Sequence, residues 1–519
     1  MTADSLPAAF RRTAAIYGAA PAIRIPERDL SFDELDRLTD HLAAALVQRG
    51  LNPGDRVGLY CPNGAEFVIS YLGLLKAGAT LVPINLLLSP GEVRYILDDA
   101  GARGLFVHPS LAERAAQATA DLDRLEWTLL IDQQPRPDGT PSLGNLLAAG
   151  AAIPLATDLA MPDVAVILYT SGTTGFPKGA QLTHANLLAN THSVLRALHL
   201  RPGQDLVLVV LPMFHSFAAT VGILTPLLHG LGLVPVPRFE PALVCERIES
   251  SGATVFLGVP SMYGVLLKLG PAQRAQWRSV RFCVSGGSAL PVAVLQDFES
   301  LFGIPILEGD GPTECSPVTC VNPLDGVRKP GSVGLPIPDV DMAILDGQGQ
   351  PLPDGTLGEV CVRGPNVMKG YWQLPQADAE SFFGAWFRTG DLGYRDPDGY
   401  FFLVDRIKDM MIVNGMNVYP RVLEEVLYRH PGVAEAAVVG EPHPSHGEIP
   451  VAYLVPKEGQ TLDPSQLRAY CREHLGRHEQ PRRLVIRASL PKSGAGKILK
   501  RELRRQGEIE RGLIPAADE

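Results

Sequence analysis

The sequence predicts an α/β protein: a large N-terminal domain of parallel-rich sheets covered by helices and closed by a β-rich subdomain, followed by a small mobile α+β domain. Three observations carry this. Apolar β-branched runs alternate with helical patterns as far as Phe302. From about Gly331 to Val404, glycine, proline and aspartate recur every few residues between short β runs. After Asp405 the pattern changes again, to a compact mixture of strands and helices. A chain of 519 residues also exceeds one ordinary hydrophobic core, which favours at least two domains.

Taken in order, Arg56–Pro62 reads as a strand, Ala65–Lys76 as a helix, Leu81–Asn85 as a strand and Pro90–Ala100 as a helix. The rhythm recurs in Val164–Thr170, a loop and a helix over His184–Leu200. It recurs again in Ala253–Val259 with Pro260–Leu269, and in Val280–Ser285 with Pro291–Phe302. Near-continuous apolar strands separated by helices imply parallel sheets buried on both faces. Glu359–Arg363 and Tyr400–Val404 are strands of the β-rich subdomain, residues 331–404. In the last unit Pro420 suits the first turn of a helix over Pro420–Arg429. Val433–Val439, Val451–Val455 and Arg482–Ile486 read as strands, and Asp463 as the cap of a helix over Pro464–Leu475. The chain thus divides into 1–405 and 406–519.

Composition excludes several functions. Apolar residues are 46% and charged residues 20%, as in soluble globular proteins. A net charge of −10 argues against broad nucleic-acid binding and against a polybasic membrane anchor, leaving peripheral membrane contact at most. Leu206–Pro237 lacks Asp, Glu, Lys and Arg, but its prolines and glycines would leave backbone groups unpaired in lipid; a buried strand, loop and helix are expected instead. The N-terminus has no continuous apolar core of a secretory signal. The seven cysteines form no CxxC pair and read as buried thiols of a cytoplasmic protein. A monomer and a homodimer both remain open.

The most informative segment is Tyr169–His184, YTSGTTGFPKGAQLTH. Thr170, Ser171, Thr173 and Thr174 supply hydroxyls, Gly172, Gly175 and Gly179 let the backbone curl, and Lys178 adds a cation. Such a loop, between an apolar strand and a helix, can cradle a polyphosphate. It is not a P-loop, because Lys178 lies between Pro177 and Gly179. The string closely resembles the signature loop of the acyl-CoA synthetase, adenylation-domain and firefly-luciferase superfamily of adenylate-forming enzymes, and the chain resembles most its fatty-acid–CoA ligases. Companion motifs follow in the family's order over nearly the whole chain.

What the resemblance implies is specific. Pro212–Ala218 (PMFHSFA) places His215 beside the acyl pocket, with Gly222 and Gly287 on its wall; read alone, His215 is as well a core histidine. Ser285–Pro291 (SGGSALP) matches the turn that contacts adenine through Gly287 and Ser288. Glu308–Glu314 (EGDGPTE) matches the segment in which Glu308, Gly309, Asp310 and Gly311 line the nucleotide, Thr313 touches phosphate and Glu314 binds magnesium, with Thr170 nearby. Relatives usually carry an aromatic where Asp310 stands, and a carboxylate cannot stack on adenine. Trp386–Asp391 (WFRTGD) ends in the aspartate that accepts from the ribose hydroxyls. In Asp405–Asp409 (DRIKD) Arg406 reaches ribose or phosphate and Lys408 is the pivot. Asn414–Pro420 (NGMNVYP) brings Gly415 and Met416 to coenzyme A, and Leu490–Lys497 (LPKSGAGK) carries the catalytic Lys497. The basic run Lys500, Arg501, Arg504 and Arg505 reads equally as a coenzyme A phosphate contact and as a solvated helix face.

By this resemblance ATP and Mg2+ activate a carboxylic acid as its acyl-AMP, pyrophosphate leaves, and coenzyme A then displaces AMP after the small domain turns. A fixed cation at Lys497 stabilises charge that develops on the phosphoryl oxygens. Amino-acid-activating relatives carry an aspartate where Phe214–Ser216 stands, so an amino acid is disfavoured. The apolar Ala218–Leu228 stretch points to a medium- or long-chain fatty acid; an aryl acid, or loading of a carrier-protein phosphopantetheine, is the alternative.

Overall fold

The computed structural model describes residues 5–132, 141–148, 160–161, 163–170, 177–492, 496 and 498–513. Two large sheets form the body. In one, Ile306–Asp310, Phe282–Ser285, Val255–Gly258, Leu206–Val209 and Gly232–Pro235 run parallel in that order, with antiparallel pairs closing both edges. In the other, Arg56–Tyr60 lies between Thr80–Pro83 and Gly104–Val107, all parallel, and Val164–Thr170 joins beyond Thr80–Pro83. These central strands are buried along their length, as their continuous apolar character requires.

Helix starts follow local capping chemistry. Ser89 and Glu92 form a reciprocal capping box ahead of Pro90–Asp99, Thr183 and Asn186 do the same for His184–Ala197, and Asp463 caps Pro464–His474 by accepting from Ser465 N at 2.8 Å.

One element departs from the sequence reading. The chain does not pass from Val164–Thr170 through a loop straight into a helix. Lys178–Thr183 intervenes as a strand antiparallel to Val164–Thr170, with Thr170 opposite Lys178. Its inward residues Ala180 and Leu182 are buried, but the short, glycine-led run hides that alternation. The glycine-rich segment therefore joins two paired strands.

Asp341–Leu345, Gly358–Arg363, Trp386–Arg395 and Phe401–Arg406 form an antiparallel sheet against the body, in agreement with the expected β-rich region. Its register sets Asp391 opposite Arg406. After Ile407–Met410 a second unit begins. Val433–His443 and Gly447–Pro456 form a long hairpin, packed by helices Pro420–Tyr428, Pro464–His474 and Lys500–Glu510. Met411, Leu423, Leu427, Val438 and Leu454 belong to a core separate from that of the large body.

All seven cysteines are buried free thiols. No described helix is long and apolar enough to cross a membrane; Leu206–Pro237 folds into buried strands flanking a π-helix over Ala218–Leu224 and a short helix.

Candidate active site

The carboxyl ends of the parallel strands and the small domain enclose a cavity of about 2730 Å³. Ligand pockets for one small molecule run to roughly 1,000 Å³, so this cleft has room for several ligands. Thr170, His215, Gly287, Ser288, Asp391, Arg406, Lys408 and the whole run Glu308–Glu314 line it. Ser171, Gly172, Thr173, Thr174, Gly175 and Lys497 lie outside the described residues.

Glu314 is the hub of one wall. Its Oε1 accepts the Tyr371 hydroxyl at 2.8 Å and the Thr170 hydroxyl at 3.4 Å. The Lys178 ammonium sits 5.2 Å from the centre of the Tyr371 ring. Ser216 and Thr313 share a hydrogen bond of 3.1 Å between their hydroxyls, which ties the acyl segment to the Glu308–Glu314 strand end. Opposite, Arg406 Nε pairs with Asp391 Oδ1 at 2.6 Å. Asp391 is the main influence that holds the partly exposed guanidinium in its charged form; Asp310 and Glu314 add to it.

Asp310 stands on the cavity wall as a half-buried carboxylate. Its backbone oxygen accepts both the amide and the hydroxyl of Thr319, each at 3.0 Å, so the strand end is held independently of the side chain. Glu308 is only 2% exposed. Its Oε1 accepts Leu290 N at 2.9 Å, fixing the Ser285–Pro291 turn, while Oε2 is buried without a hydrogen-bond partner. Burial pushes this carboxyl up to about 7, with Arg421 opposing.

Two glycines are required, one by a left-handed backbone and one by close backbone approach. Gly287 has φ +80 and faces the cavity. A β-carbon on Gly311 would lie 1.8 Å from Pro317 O. Backbone atoms cannot swing aside, so Gly311→Ala is expected to cost about 2 kcal/mol or more and to weaken ATP binding. Urea unfolding and an ATP titration check this; a variant that is as stable and binds as tightly as wild type would contradict the packing.

The acyl branch corrects one expectation. Gly222 does not reach the cavity wall. A β-carbon there would meet Val209 Cγ2 at 2.9 Å, so this glycine lets the π-helix pack onto its sheet. Ala218 and Val221 of the same turn of helix line the cavity instead, with Leu211, Phe214, Phe217, Val194 and Leu198. Gly415 and Met416 are exposed and off the cavity wall in this domain arrangement. The basic run is largely paired: Lys500 with Glu424 at 2.8 Å, Arg504 with Asp409 at 2.8 Å and Arg505 with Glu502 at 2.9 Å.

Several supports were not visible in the motifs. Tyr371 is one. Asn63 is another: its Oδ1 accepts Met213 N at 2.8 Å and its amide donates to Leu211 O at 2.9 Å, pinning the acyl segment. Asn190 donates to Val318 O at 2.7 Å, and Asn322 to Glu308 O at 3.1 Å.

A family model described as AMP-binding enzyme matches residues 10–372, and one described as AMP-binding enzyme C-terminal domain matches residues 422–497. The chain is 36% identical to a long-chain-fatty-acid–CoA ligase of Escherichia coli O6:H1, over 96% of this chain and 94% of the other. It is 37% identical to a sulfoacetate–CoA ligase of Cupriavidus necator, over 96% of this chain and 97% of the other. The crystal structure of the anthranilate CoA ligase AuaEII in complex with anthranoyl-AMP is similar with a TM-score of 0.92, at 28% identity and 99% coverage of both chains.

Proposed function

We propose that this chain, which belongs to the AMP-binding enzyme family and is an adenylate-forming acyl-CoA ligase, takes a medium- or long-chain fatty acid as its acid. The observation that carries this is the acyl branch of the cavity. Leu211, Phe214, Phe217, Ala218, Val221, Val194 and Leu198 present no charge there. Among the described residues, apart from Lys268, the lysines and arginines lining the cavity come from residue 406 onward, on the nucleotide and small-domain side. A second anionic group on the acid, such as a sulfonate, would be desolvated in that branch with no lysine or arginine among these residues to pair it. An alkyl chain gains from burial there, at about 0.8 kcal/mol per CH₂.

In the first step the carboxylate attacks the α-phosphorus of ATP and pyrophosphate leaves. Asp391 accepts from the ribose hydroxyls, and its partner Arg406 carries positive charge toward the phosphates. The turn over Gly287 and Ser288 and the run Glu308–Glu314 hold the base and the phosphates from the other side. Lys497 stabilises charge that grows on the phosphoryl oxygens. Glu314 and Thr170 offer hard oxygen donors for Mg2+, which when bound neutralises phosphate charge. Among the described residues no group of three or more His, Cys, Asp and Glu could hold a metal. One carboxylate beside the substrate phosphates is chemically sufficient for such a cation.

In the second step the thiol of coenzyme A displaces AMP. Ser261 Oγ donates to Gly496 O at 3.2 Å, which brings the residue preceding Lys497 against the acyl side of the cleft. Gly415 and Met416 meanwhile face solvent. This supports assigning the present arrangement to the first step, with the small domain turning through Ile407–Met410, about Lys408, for the second.

The test is pyrophosphate release with ATP and Mg2+ over a series of alkyl acids, benzoate, cinnamate and sulfoacetate, with and without coenzyme A. We expect kcat/KM to climb with alkyl length and turnover to need coenzyme A. A maximum on an aryl acid or sulfoacetate would overturn the substrate; transfer only to a phosphopantetheinyl carrier would overturn the acceptor.

A further inference from the structure

The first helix of the small domain, Pro420–Tyr428, receives no cap from its own N-cap residue, Tyr419. Its cap comes from across the domain boundary. Asp405, on the last strand of the large domain, accepts Arg421 N through Oδ2 at 2.9 Å. Asp405 is itself fixed: its Oδ1 accepts Arg406 N at 2.8 Å, and its strand pairs with Leu392. The contact is returned, because Arg421 Nη1 donates to Leu403 O on that same strand at 2.7 Å. The Arg421 charge also faces Glu308, the buried carboxylate with an orphaned oxygen, and counters the effect of Glu425 and Asp310 on it.

We infer that Asp405 and Arg421 form an orientation latch: Arg421 is a positioning residue that stabilises the domain arrangement in which the acid is adenylated, and it does not serve the thioester step. The inference rests on the two-step reading above. Leu403 and Asp405 precede the Ile407–Met410 crossing and Arg421 follows it. A turn of the small domain about Lys408 therefore breaks both hydrogen bonds, uncaps the helix and takes the guanidinium from Glu308. A contact present in one of two states shifts the balance between them by its own free energy and does nothing for the other. Other contacts also cross the boundary. Lys268 and Glu458 pair at 3.0 Å but are 64% and 84% exposed, and exposed pairs contribute little. Ser261 to Gly496 is a single neutral hydrogen bond, and Glu425, one turn along the same helix as Arg421, accepts from the Val292 backbone amide of the large domain without engaging the last strand before the crossing.

Arg421→Met keeps the aliphatic stem and removes the fork; Arg421→Lys keeps a donor. In the Met variant ATP–pyrophosphate exchange is expected to fall about 10-fold, within the range of ordinary conformational coupling. The same variant, given preformed acyl-AMP and coenzyme A, should make acyl-CoA at the wild-type rate or faster. The Lys variant should recover part of the exchange. A dye pair spanning the two domains, read with no substrate present, should show fewer docked molecules in the Met variant. Equal losses in both half-reactions, or an unchanged docked population, overturns the latch. Those readings concern Arg421 alone. Failure of the wild-type protein to form acyl-CoA from any acid would instead remove the two-step reading, while the dye measurement still judges the latch.

Discussion

Glu314→Gln is expected to lower ATP–pyrophosphate exchange by about 10²–10³-fold, the loss seen when one preorganised electrostatic group is removed from a developing charge. The substitution is informative because it spares the local hydrogen bonds. The Tyr371 and Thr170 hydroxyls both donate to Glu314 Oε1. A glutamine carbonyl oxygen accepts from both equally well. What disappears is the negative charge, and with it the anchor for a hard divalent cation. Arg406, held charged chiefly by Asp391 and less by Asp310 and Glu314, keeps its principal partner. ATP titrated calorimetrically in the presence and absence of Mg2+ gives a readout apart from turnover. Wild type should bind ATP more tightly with Mg2+, and the Gln variant should lose most of that difference. Near-normal exchange at limiting Mg2+ would show that Glu314 does not hold the cation.

The parts of this site that sequence could show are those carried by local pattern. Thr170, Thr313, Glu314, Asp391 and Arg406 each sit in a string whose turn residues and neighbours have few other uses, and the structure brings them to one cavity. The supports of those strings were invisible because each is a single polar residue bonded far along the chain. Tyr371 reaches Glu314 across 57 residues, and Asn190 reaches Val318 across 128. Nothing in an isolated asparagine says which carbonyl it will meet. Gly222 failed for a related reason. A glycine in an apolar helix reads the same whether it faces a ligand or a sheet, and here Val209 takes the space. The strand Lys178–Thr183 was hidden by its length, since six residues beginning at the end of a glycine-rich loop barely establish a period of two. The basic run after Lys497 shows the same limit in charge. Its members meet acids at Glu424, Asp409 and Glu502, the first two distant in sequence, while Lys500, Arg501 and Arg504 also line the cavity.

Glu308→Gln is expected to change the pH dependence of stability more than stability itself. The native carboxyl is raised from 4.5 to about 7, mainly by burial. In the unfolded chain it ionises near its ordinary value. The folded protein therefore binds more protons than the unfolded one between those limits, and stability falls as pH rises through them. The contribution of the neutral carboxyl is fully present below 4.5 and gone above about 7. A shift of this size corresponds to about 3 kcal/mol. Glutamine is neutral throughout and keeps an acceptor for Leu290 N, so the variant should lack this slope. Its amide will stand where Oε2 is now buried without a partner, which adds a cost independent of pH. The measurement is accordingly the difference between the two proteins: urea unfolding of both from about pH 5 to about pH 8, with the variant gaining on wild type by about 3 kcal/mol over that range. Parallel curves would mean that Glu308 is already ionised when buried, held so by Arg421. The Ser285–Pro291 turn would then be anchored by a carboxylate paired across the domain boundary, and the docked arrangement, rather than the strand alone, would keep the nucleotide wall in place.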